Sequence, residues 1–573
     1  MDLLTGIWKF VKSLLLFSEP EEVEGFTLKE RPCESGKDPY DVKEADVCKK
    51  GKNENNKPPS GKDEISSKLP ENLEFIKSAY TIPDNGDVLV REFDIVVRGK
   101  VIPAFIVFID GMVDRKVIND DILQPLMLLS NMDIKGDEKN IAEYVRSHIL
   151  PHNQIHEVRE HKKVIDEVNF GGCGIYIDGV NSAFAADVKG WEHRNVERPN
   201  TELVIRGPQE GFNESLRVNT ALVRKRLKDE KLVAESLEIG LRSKTPISLL
   251  YIKDIANESL VKEVRRRLKG IKVDYVMDTG ELEQFIEDST FLPSPQIIAT
   301  ERPDRTASAL SEGRVAVIMN GSPFALVMPV TYTDLFHSPE DNYIRFPYAN
   351  LLRFIRLIGI FFSLLLPGIY LAITNFHHEM IPTDLLLAIE ASREKVPFPS
   401  VVEIMMMEIA FELIREAGIR IPGPIGPTLG IIGALILGQA AVAANIVSPI
   451  LIIIVAVTGI GSFALPNFSL AFAFRSLRFA YIFLGAMAGL LGITAGLFIH
   501  LMWLVSAKSF GVPFFAPFGP KTAGGLAEQL TKMPIWMQEN RPDFMNSRKI
   551  NKQRKISRAW TKSKDGEGDS DGK

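Results

Sequence analysis

Three glutamates recur at every fourth position in the segment 401–417, VVEIMMMEIAFELIREA. Glu408, Glu412 and Glu416 would form an acidic stripe on one helix face, because residues four apart lie one above the other. In an oligomer such stripes would form a vestibule that concentrates cations at the mouth of a pore, with Arg415 neutralising part of the charge. The alternative is an interfacial amphipathic helix whose carboxylates face water, since the segment is too short and too charged to cross lipid alone.

The next stretch, 421–467, is strongly apolar but contains many glycines and alanines and a few amides. Small residues let helices approach closely, and amides away from water need polar partners. We therefore expect 428–446 to line a pore, at these candidate positions: Thr428, Ile432, Gly433, Leu437, Gln439 and Asn445. Rings of Ile or Leu would close such a pore by excluding water. The alternative is that the small residues only pack helices within one subunit.

Residues suited to catalysis or metal binding are sparse. His152 and His156 could share a helix face and His161 follows them, but neither an HExxH pattern nor a cysteine pair accompanies them. The glycines of FGGCG, 170–174, lack the spacing and the Lys-Ser/Thr pair of a phosphate loop and favour a helix-to-strand turn. Three cysteines are interpreted as free thiols of a reducing compartment: Cys33, Cys48 and Cys173. We expect no enzyme, no metal and no cofactor.

The 573 residues, 45% of them hydrophobic, divide into a polar first part and an apolar later part. Strand patterns alternate with amphipathic helices up to residue 345, which predicts an α/β soluble region of two subdomains, 70–244 and 245–345. Three strands end in hairpin-type dipeptides followed by a second extended run: Asp110-Gly111, Asp178-Gly179 and Asn320-Gly321. The remaining apolar part predicts an all-α polytopic membrane domain, 346–510.

Four membrane spans are expected, at 355–374, 428–446, 449–465 and 479–506, besides the amphipathic helix. Arginines before the first span place its start and the soluble region in the cytoplasm: Arg345, Arg353 and Arg356. Four spans return the C-terminus there. Arg475 and Arg478 then fall outside, against the charge rule, unless the third span is re-entrant or a short helix at 470–477 lies in the interface.

The two ends of the chain are predicted to lie outside this core. Residues 1–17 form an amphipathic helix that lies on a membrane, on a partner or on the soluble region, and 18–69 form a disordered charged linker. The tail, 511–573, is basic and either binds anionic lipid or is simply solvated.

Two connectors, 191–227 and 294–330, are rich in Arg and Pro and share a Glu-Arg-Pro turn. Proline fixes the backbone direction, while guanidinium forks bind carboxylates or carbonyls within the fold or on a neighbouring subunit. We take four arginines as candidate subunit contacts: Arg198, Arg206, Arg224 and Arg302.

These connectors, the YIKDIAN and DTGELEQFIED stretches and the motif VPFPSVVEIMMMEIAFELIREAGIRIPGPIGPTLGIIGALILGQAAVAANIVSP resemble the A subunit of GerA-type spore germination receptors. The resemblance covers roughly 70–517. It implies a multi-pass protein of the spore inner membrane with cytoplasmic termini, acting with a transporter-like B subunit and a lipoprotein C subunit. It further implies a homo-oligomeric ring that releases ions. Proteins of the SpoVAF type share these motifs, and no nucleic-acid partner is expected.

Three function classes fit these features to different degrees. The first is a ligand-gated ion channel subunit of a germination receptor, and the second is a non-conducting scaffold or signal relay of the same cluster. A SpoVAF-type accessory channel is a variant of the first. A secondary transporter should show a repeated architecture with broken spans, and the sequence shows no such repeat.

Overall fold

The computed structural model describes residues 28, 63–97, 100–128, 145, 150, 155–190, 198–199, 201–420, 433, 436–520 and 531–553. The predicted N-terminal helix, most of the linker, and the last part of the tail lie outside these residues. Within them the chain forms an α/β region of two subdomains followed by an all-helical region, as the sequence predicts. The predicted boundary between 244 and 245 is wrong, because the strand Leu232–Ile239 pairs with the strand Thr245–Ile252 in the second sheet.

The first subdomain is an antiparallel sheet with the strand order β1-β2-β4-β5-β3. Its strands are β1 (Val88–Val97), β2 (Lys100–Ile109), β3 (Ile155–Val158), β4 (Cys173–Ile177) and β5 (Ala183–Ala186). Helices α1 (Leu69–Ala79) and α3 (His161–Asn169) pack on one face. A helical run, α2, covers the other face and consists of Arg115–Val117, the π-helical Ile118–Leu123 and Gln124–Leu128. Because both faces are covered, successive residues of β2 from Ala104 on are buried on alternating sides.

The second subdomain repeats the first, with the strand order β6-β7-β9-β10-β8 and antiparallel pairing throughout. Its strands are β6 (Leu232–Ile239), β7 (Thr245–Ile252), β8 (Ile298–Thr300), β9 (Val315–Met319) and β10 (Ala325–Met328). Helices α4 (Leu216–Arg226) and α7 (Pro303–Ser311) cover one face; α5 (Glu258–Gly270) and α6 (Thr279–Ile286) cover the other. Element order, strand order and covered faces all correspond, so the soluble region is a tandem structural duplication.

Two of the three predicted hairpins are confirmed. Strands β4 and β5 pair across Asp178-Gly179, and β9 and β10 pair across Asn320-Gly321. The expectation of an extended run after Asp110-Gly111 is wrong, because Asp114 caps the start of α2 by accepting from the Lys116 and Val117 amides.

The helical region begins with α8 (Phe346–Phe376), the first of its elements. The others are α9 (Thr383–Arg393), α10 (Ser400–Arg420), α11 (436–443), α12 (Pro449–Phe463) and α13 (Phe468–Ser506). By length and composition α8 and α13 could each cross a membrane, and α12 is a shorter apolar helix. Helix α8 includes the predicted first span, and α13 contains both the segment 470–477 and the predicted fourth span.

Helix α13 is a hairpin of two helices rather than one rod. Its backbone leaves helical geometry at Ala488 and Gly489, where Gly489 has a φ of +60°. Tyr481 Oη lies 3.3 Å from His500 Nδ1, whereas 19 residues of straight helix span about 28 Å. The two halves therefore run antiparallel, with the turn at Ala488 and Gly489.

Both ends of this hairpin return to the soluble region. Near its start, the Phe474 ring stacks on Phe336 at a centroid distance of 6.4 Å. Just after its end, Ser509 Oγ donates to Gln296 O at 2.8 Å. Arg475 and Arg478 consequently lie on the same side of the helical region as the α/β subdomains, which removes the conflict with the charge rule.

Candidate functional site

The acidic helix α10 packs between α12 and α13 in the helical region. Its Ile404 and Met407 are buried in a core shared with α8 and α12. Near the far end, Glu403 Oε2 accepts from the Ser448 amide at 3.1 Å, which ties α10 to the start of α12. This packing aims the second half of α10 at the two arginines of α13.

Glu408 and Arg478 form a buried ion pair. The side chains are 0% and 1% exposed, and Arg478 Nη1 donates to Glu408 Oε2. Removing each charge from water is unfavourable, and the attraction between the two charges offsets this cost. If either partner were removed, the other would be left buried without a counter-ion. Glu408 was predicted to line a vestibule, but in the single chain Arg478 and neighbouring helices cover it.

Glu412 is shared among three guanidinium groups. It accepts from Arg475 Nη1 and Arg478 Nη2, each at 3.3 Å, and lies 3.8 Å from Arg415 Nη1. Arg415 is held by its Nη2, which donates to Ser462 Oγ at 2.9 Å, and by the Phe463 ring at 4.3 Å. Glu416, the last of the three predicted carboxylates, is exposed.

The sequence therefore indicated the acidic half of this cluster and Arg415, but it did not place Arg475 and Arg478 beside the carboxylates. The available signal was spacing: Arg475 and Arg478 are three apart on one helix, and Glu408 and Glu412 are four apart on another, so each pair occupies one face. The side chains leave an open cleft of about 310 Å3 on the outer side of Glu412.

The predicted pore-lining positions are only partly described. Thr428 and Ile432 lie outside the described residues. Helix α11 packs through Gly438, which faces Ile452, and through the buried Ala441. Leu437, Gln439 and Asn445 are exposed in the single chain, and Gly433 is partly covered by Ile414. One face of α11 thus serves packing within the subunit, while Gln439 on α11 and Asn445 in the turn after it have no cover from the described residues.

Two of the four arginines proposed as subunit contacts make internal bonds instead. Arg302 is fully buried, and its Nη1 and Nη2 donate to Glu202 O at 3.1 Å and Pro208 O at 2.8 Å. It thereby holds the connector against the start of α7. Arg198 and Arg206 are exposed and stay predictions.

Arg224 joins the two subdomains. Its guanidinium is 2% exposed and donates to both oxygens of Asp87, at 2.5 and 2.6 Å, and to Asn85 Oδ1 at 3.0 Å. Asn85 Oδ1 also accepts from the Ala234 amide at 3.0 Å. The start of the first sheet is therefore bonded to an edge strand of the second, and the bidentate geometry fixes their relative orientation.

A second joint connects the soluble region to α8. Arg356 donates to both oxygens of Asp341, at 2.6 and 2.7 Å. Burial alone would raise the pKa of Asp341, but this arginine holds that pKa below its ordinary value. Lys532, after the last helix, donates to Asp341 O and exchanges hydrogen bonds with Asn350. The soluble region, the first helix and the C-terminal segment meet at this point.

Within the described residues no group of three or more His, Cys, Asp or Glu side chains could hold a metal ion. His156 lies on strand β3 rather than on a helix, and His161 is buried with its Nδ1 3.2 Å from Tyr176 Oη. Residues 170–174 form the expected helix-to-strand turn between α3 and β4, where Gly171 has a φ of +97°.

The chain thus joins a duplicated α/β region to a helical region through hydrogen bonds and ion pairs at several points. Two of its helices are long and apolar enough to cross a membrane. These features define a class of protein in which a soluble region is attached to apolar helices. The sequence profile described as Bacillus/Clostridium GerA spore germination protein matches residues 74–544. The chain belongs to this family.

Individual relatives cover most of the chain. Spore germination protein KA of Bacillus subtilis (strain 168) is 39% identical over 482 residues, 84% of this chain and 87% of the relative. Spore germination protein GerLA of Bacillus cereus is 36% identical over 85% of this chain and 97% of the relative. The uncharacterized membrane protein YfkQ of B. subtilis (strain 168) is 38% identical over 83% and 91%.

Among solved structures, the crystal structure of the N-terminal domain of the A subunit of the Bacillus megaterium spore germinant receptor GerK3 is 33% identical. It covers 47% of this chain and 97% of that chain, with a TM-score of 0.37.

Proposed function

We propose that this chain is the A subunit of a nutrient-responsive spore germination receptor and forms an oligomeric membrane channel that releases ions early in germination. In this proposal the protein lies in the spore inner membrane with both termini in the cytoplasm. Its partners are a transporter-like B subunit, a lipoprotein C subunit, further copies of itself and membrane lipid. Relatives named as spore germination proteins support the process.

The observation that carries the channel is a pair of uncovered amides, one on α11 and one in the turn after it. Gln439 and Asn445 are exposed although α11 packs against the apolar α12. An amide facing lipid would lose its hydrogen bonds to water, at a cost of about 2–7 kcal/mol. A water-filled lumen, formed where several copies meet, satisfies such groups and places Leu437 next to them as a constriction.

The two joints of the soluble region give a route for opening. Arg224 makes the two subdomains move together, and the Asp341 joint bonds them to α8. A change in contacts with a partner would therefore tilt α8 and the helices packed on it. A small rotation of α11 would move the Leu437 side chains out of the lumen and let water enter.

Ion flux from liposomes tests the channel. Purified full-length protein in vesicles loaded with a monovalent cation should release it, and Leu437→Ala should raise the leak, because a smaller side chain weakens the apolar constriction. Ile453→Ala is the matched control, since Ile453 is exposed on the neighbouring helix α12. A monodisperse monomer without conductance would refute the proposal.

A non-conducting scaffold or relay within the same receptor cluster is the second candidate. It is favoured by the internal pairing of Glu408 and Glu412, because carboxylates bound to arginines of the same chain are not available to line a vestibule. Oligomers that form normally but show no flux at any germinant concentration with all partners present would support it. A SpoVAF-type accessory channel would instead conduct without forming a complex with a B subunit.

A further inference from the structure

Three adjacent apolar side chains are exposed in the segment that follows the last helix. Ile535, Trp536 and Met537 form a single 3-10 turn and are 61%, 44% and 57% exposed. Gln553 Nε2 donates to Ile535 O at 2.8 Å, which holds the turn against the end of the same segment. Single exposed apolar residues are common on protein surfaces, but three on one turn indicate a contact with another apolar surface.

The segment just before this turn is anchored at the start of α8. Lys532 N donates to Asn350 Oδ1 at 2.6 Å, and Asn350 Nδ2 donates to Lys532 O at 3.2 Å. The buried Lys532 Nζ donates to the backbone oxygens of Asp341 and Ile344. Asn350 precedes Ile355, where the first span is predicted to begin, by about 8 Å along the helix axis. The headgroup layer of a bilayer is about 5–8 Å thick on each side, so the anchor lies next to this layer.

The face of α8 that contains Asn350 continues as an exposed apolar stripe. Helical periodicity places four residues on that face at successive turns, all of them exposed: Phe354, Leu357, Ile358 and Phe361. The aromatic side chains of Phe346 and Tyr348, in the first turn of α8, are exposed as well. The turn Ile535–Met537 therefore lies at the foot of an apolar surface, beside the aromatic residues that begin the helix.

We propose that the turn Ile535–Met537 inserts into the headgroup region of the cytoplasmic leaflet and anchors the start of α8 at a fixed depth. Tryptophan and tyrosine favour this region, because their rings are apolar and their polar atoms can bond to water or lipid oxygens. Anchors of this kind set the depth and the tilt of a membrane helix. The inference rests on the proposed membrane placement of the helices and not on ion conduction.

A lipid surface suits these residues better than a protein surface does. The side chains of the turn and of the stripe on α8 are apolar or aromatic, and the polar groups beside them, Asn350 and Lys532, bond to each other. Interfaces between proteins normally include hydrogen bonds across the contact, whereas lipid chains need none.

Tryptophan fluorescence of the full-length protein in lipid vesicles tests this contact. The sequence contains five tryptophans, and one variant keeps only Trp536, with phenylalanine at the other four positions. Lipids brominated near the top of the acyl chains should quench its fluorescence, whereas iodide in the water should quench it little. The matched control carries Val101→Trp and phenylalanine at all five positions. Because Val101 is 65% exposed on β2 of the first subdomain, iodide should quench this control and brominated lipid should not.

A variant that keeps only Trp503 distinguishes failure of the anchor from failure of the membrane placement. Trp503 lies in α13 and is 38% exposed, so brominated lipid should quench it when the helices are in the bilayer. Quenching of Trp503 without quenching of Trp536 would overturn the anchor and leave the membrane placement intact, and quenching of neither would overturn both. Protection of Trp536 from both quenchers would show a protein contact and also overturn the anchor.

Two further measurements complete the test. If the variant with Trp536 alone does not fold, as checked by circular dichroism, the difference in fluorescence between the parent protein and Trp536→Phe gives the same quenching. Asn350→Ala removes the two bonds to Lys532 and should reduce the lipid quenching of Trp536 but not that of Trp503. Unchanged quenching of Trp536 in Asn350→Ala would overturn its anchoring at α8. None of these outcomes depends on ion flux.

Discussion

Replacing Arg478 by methionine is expected to destabilise the helical region strongly. Arg478 is the one described partner of Glu408, whose side chain is 0% exposed. The substitution leaves a carboxylate buried without a counter-ion, and breaking a buried pair in this way costs about 3–5 kcal/mol. Glu408→Met should cost less, because Arg478 keeps its contact with Glu412 at 3.3 Å.

The double variant Glu408→Met, Arg478→Met distinguishes the loss of the ion pair from the loss of side-chain packing. It removes both charges and fills the space with apolar atoms, so its stability should return to within about 1–2 kcal/mol of the parent. The exposed pair of Lys262 and Glu258 is the control: Lys262→Met should cost less than about 1 kcal/mol.

The assay is the apparent free energy of unfolding of the full-length protein in mixed micelles, titrated with a denaturing detergent and followed by circular dichroism. The reasoning fails if Arg478→Met is no more harmful than Lys262→Met. It also fails if the double variant loses as much stability as the two single variants together, because the two charges would then not be energetically coupled.

Three other substitutions address the joints and packing of the molecule. Arg224→Leu should cost about 3–5 kcal/mol and speed amide hydrogen exchange in β1 and β6, because it leaves Asp87 largely buried without its arginine. Burial raises the pKa of Glu283 to about 7 from an ordinary value of 4.5, and the carboxylate one turn later adds to the shift. The neutral form of Glu283 stabilises the folded protein relative to the ionised form. This contribution to stability is complete below about pH 4.5 and is lost as the pH rises through about 7. Glu283→Gln should therefore raise the unfolding temperature above about pH 7 and leave it unchanged near pH 4.5, as thermal scans would show. Gly485→Ala should disrupt the crossing of α13 and α8, because the added Cβ would lie 2.5 Å from a backbone oxygen of Gly368. Gly280→Ala is the control, since its Cβ would meet nothing within 4 Å and the substitution should be tolerated. Size-exclusion profiles of the two variants would show the difference.

The overall architecture could be predicted because periodicity and turn chemistry are local properties. Alternation within β2 and the dipeptides at 178–179 and 320–321 determine strands and hairpins by themselves. The duplication is not evident in the sequence, because equivalent strands of the two subdomains share a burial pattern rather than residue identity. The antiparallel return of α13 was also hidden, because Gly489 is one of several glycines in that apolar run and the sequence does not show which of them adopts a positive φ.

The candidate site was harder to predict than the fold. The spacing of Glu408 and Glu412 indicated a shared helix face but not what covers that face. Arg475 and Arg478 reach the carboxylates only because the first half of α13 packs beside the second half of α10. Long-range charge pairing of this kind depends on topology, which helical periodicity does not contain.

On the face of the second sheet that α5 and α6 cover, the core includes two residues from beyond the last helix. Phe510 and Met545 are buried among the side chains of α5, α6 and the second sheet. During synthesis the first subdomain has all its strands before any helix of the apolar region is made, whereas the second must wait until the ribosome has passed residue 545. A chain in which the end of α13 fails to return to the soluble region therefore cannot complete that core.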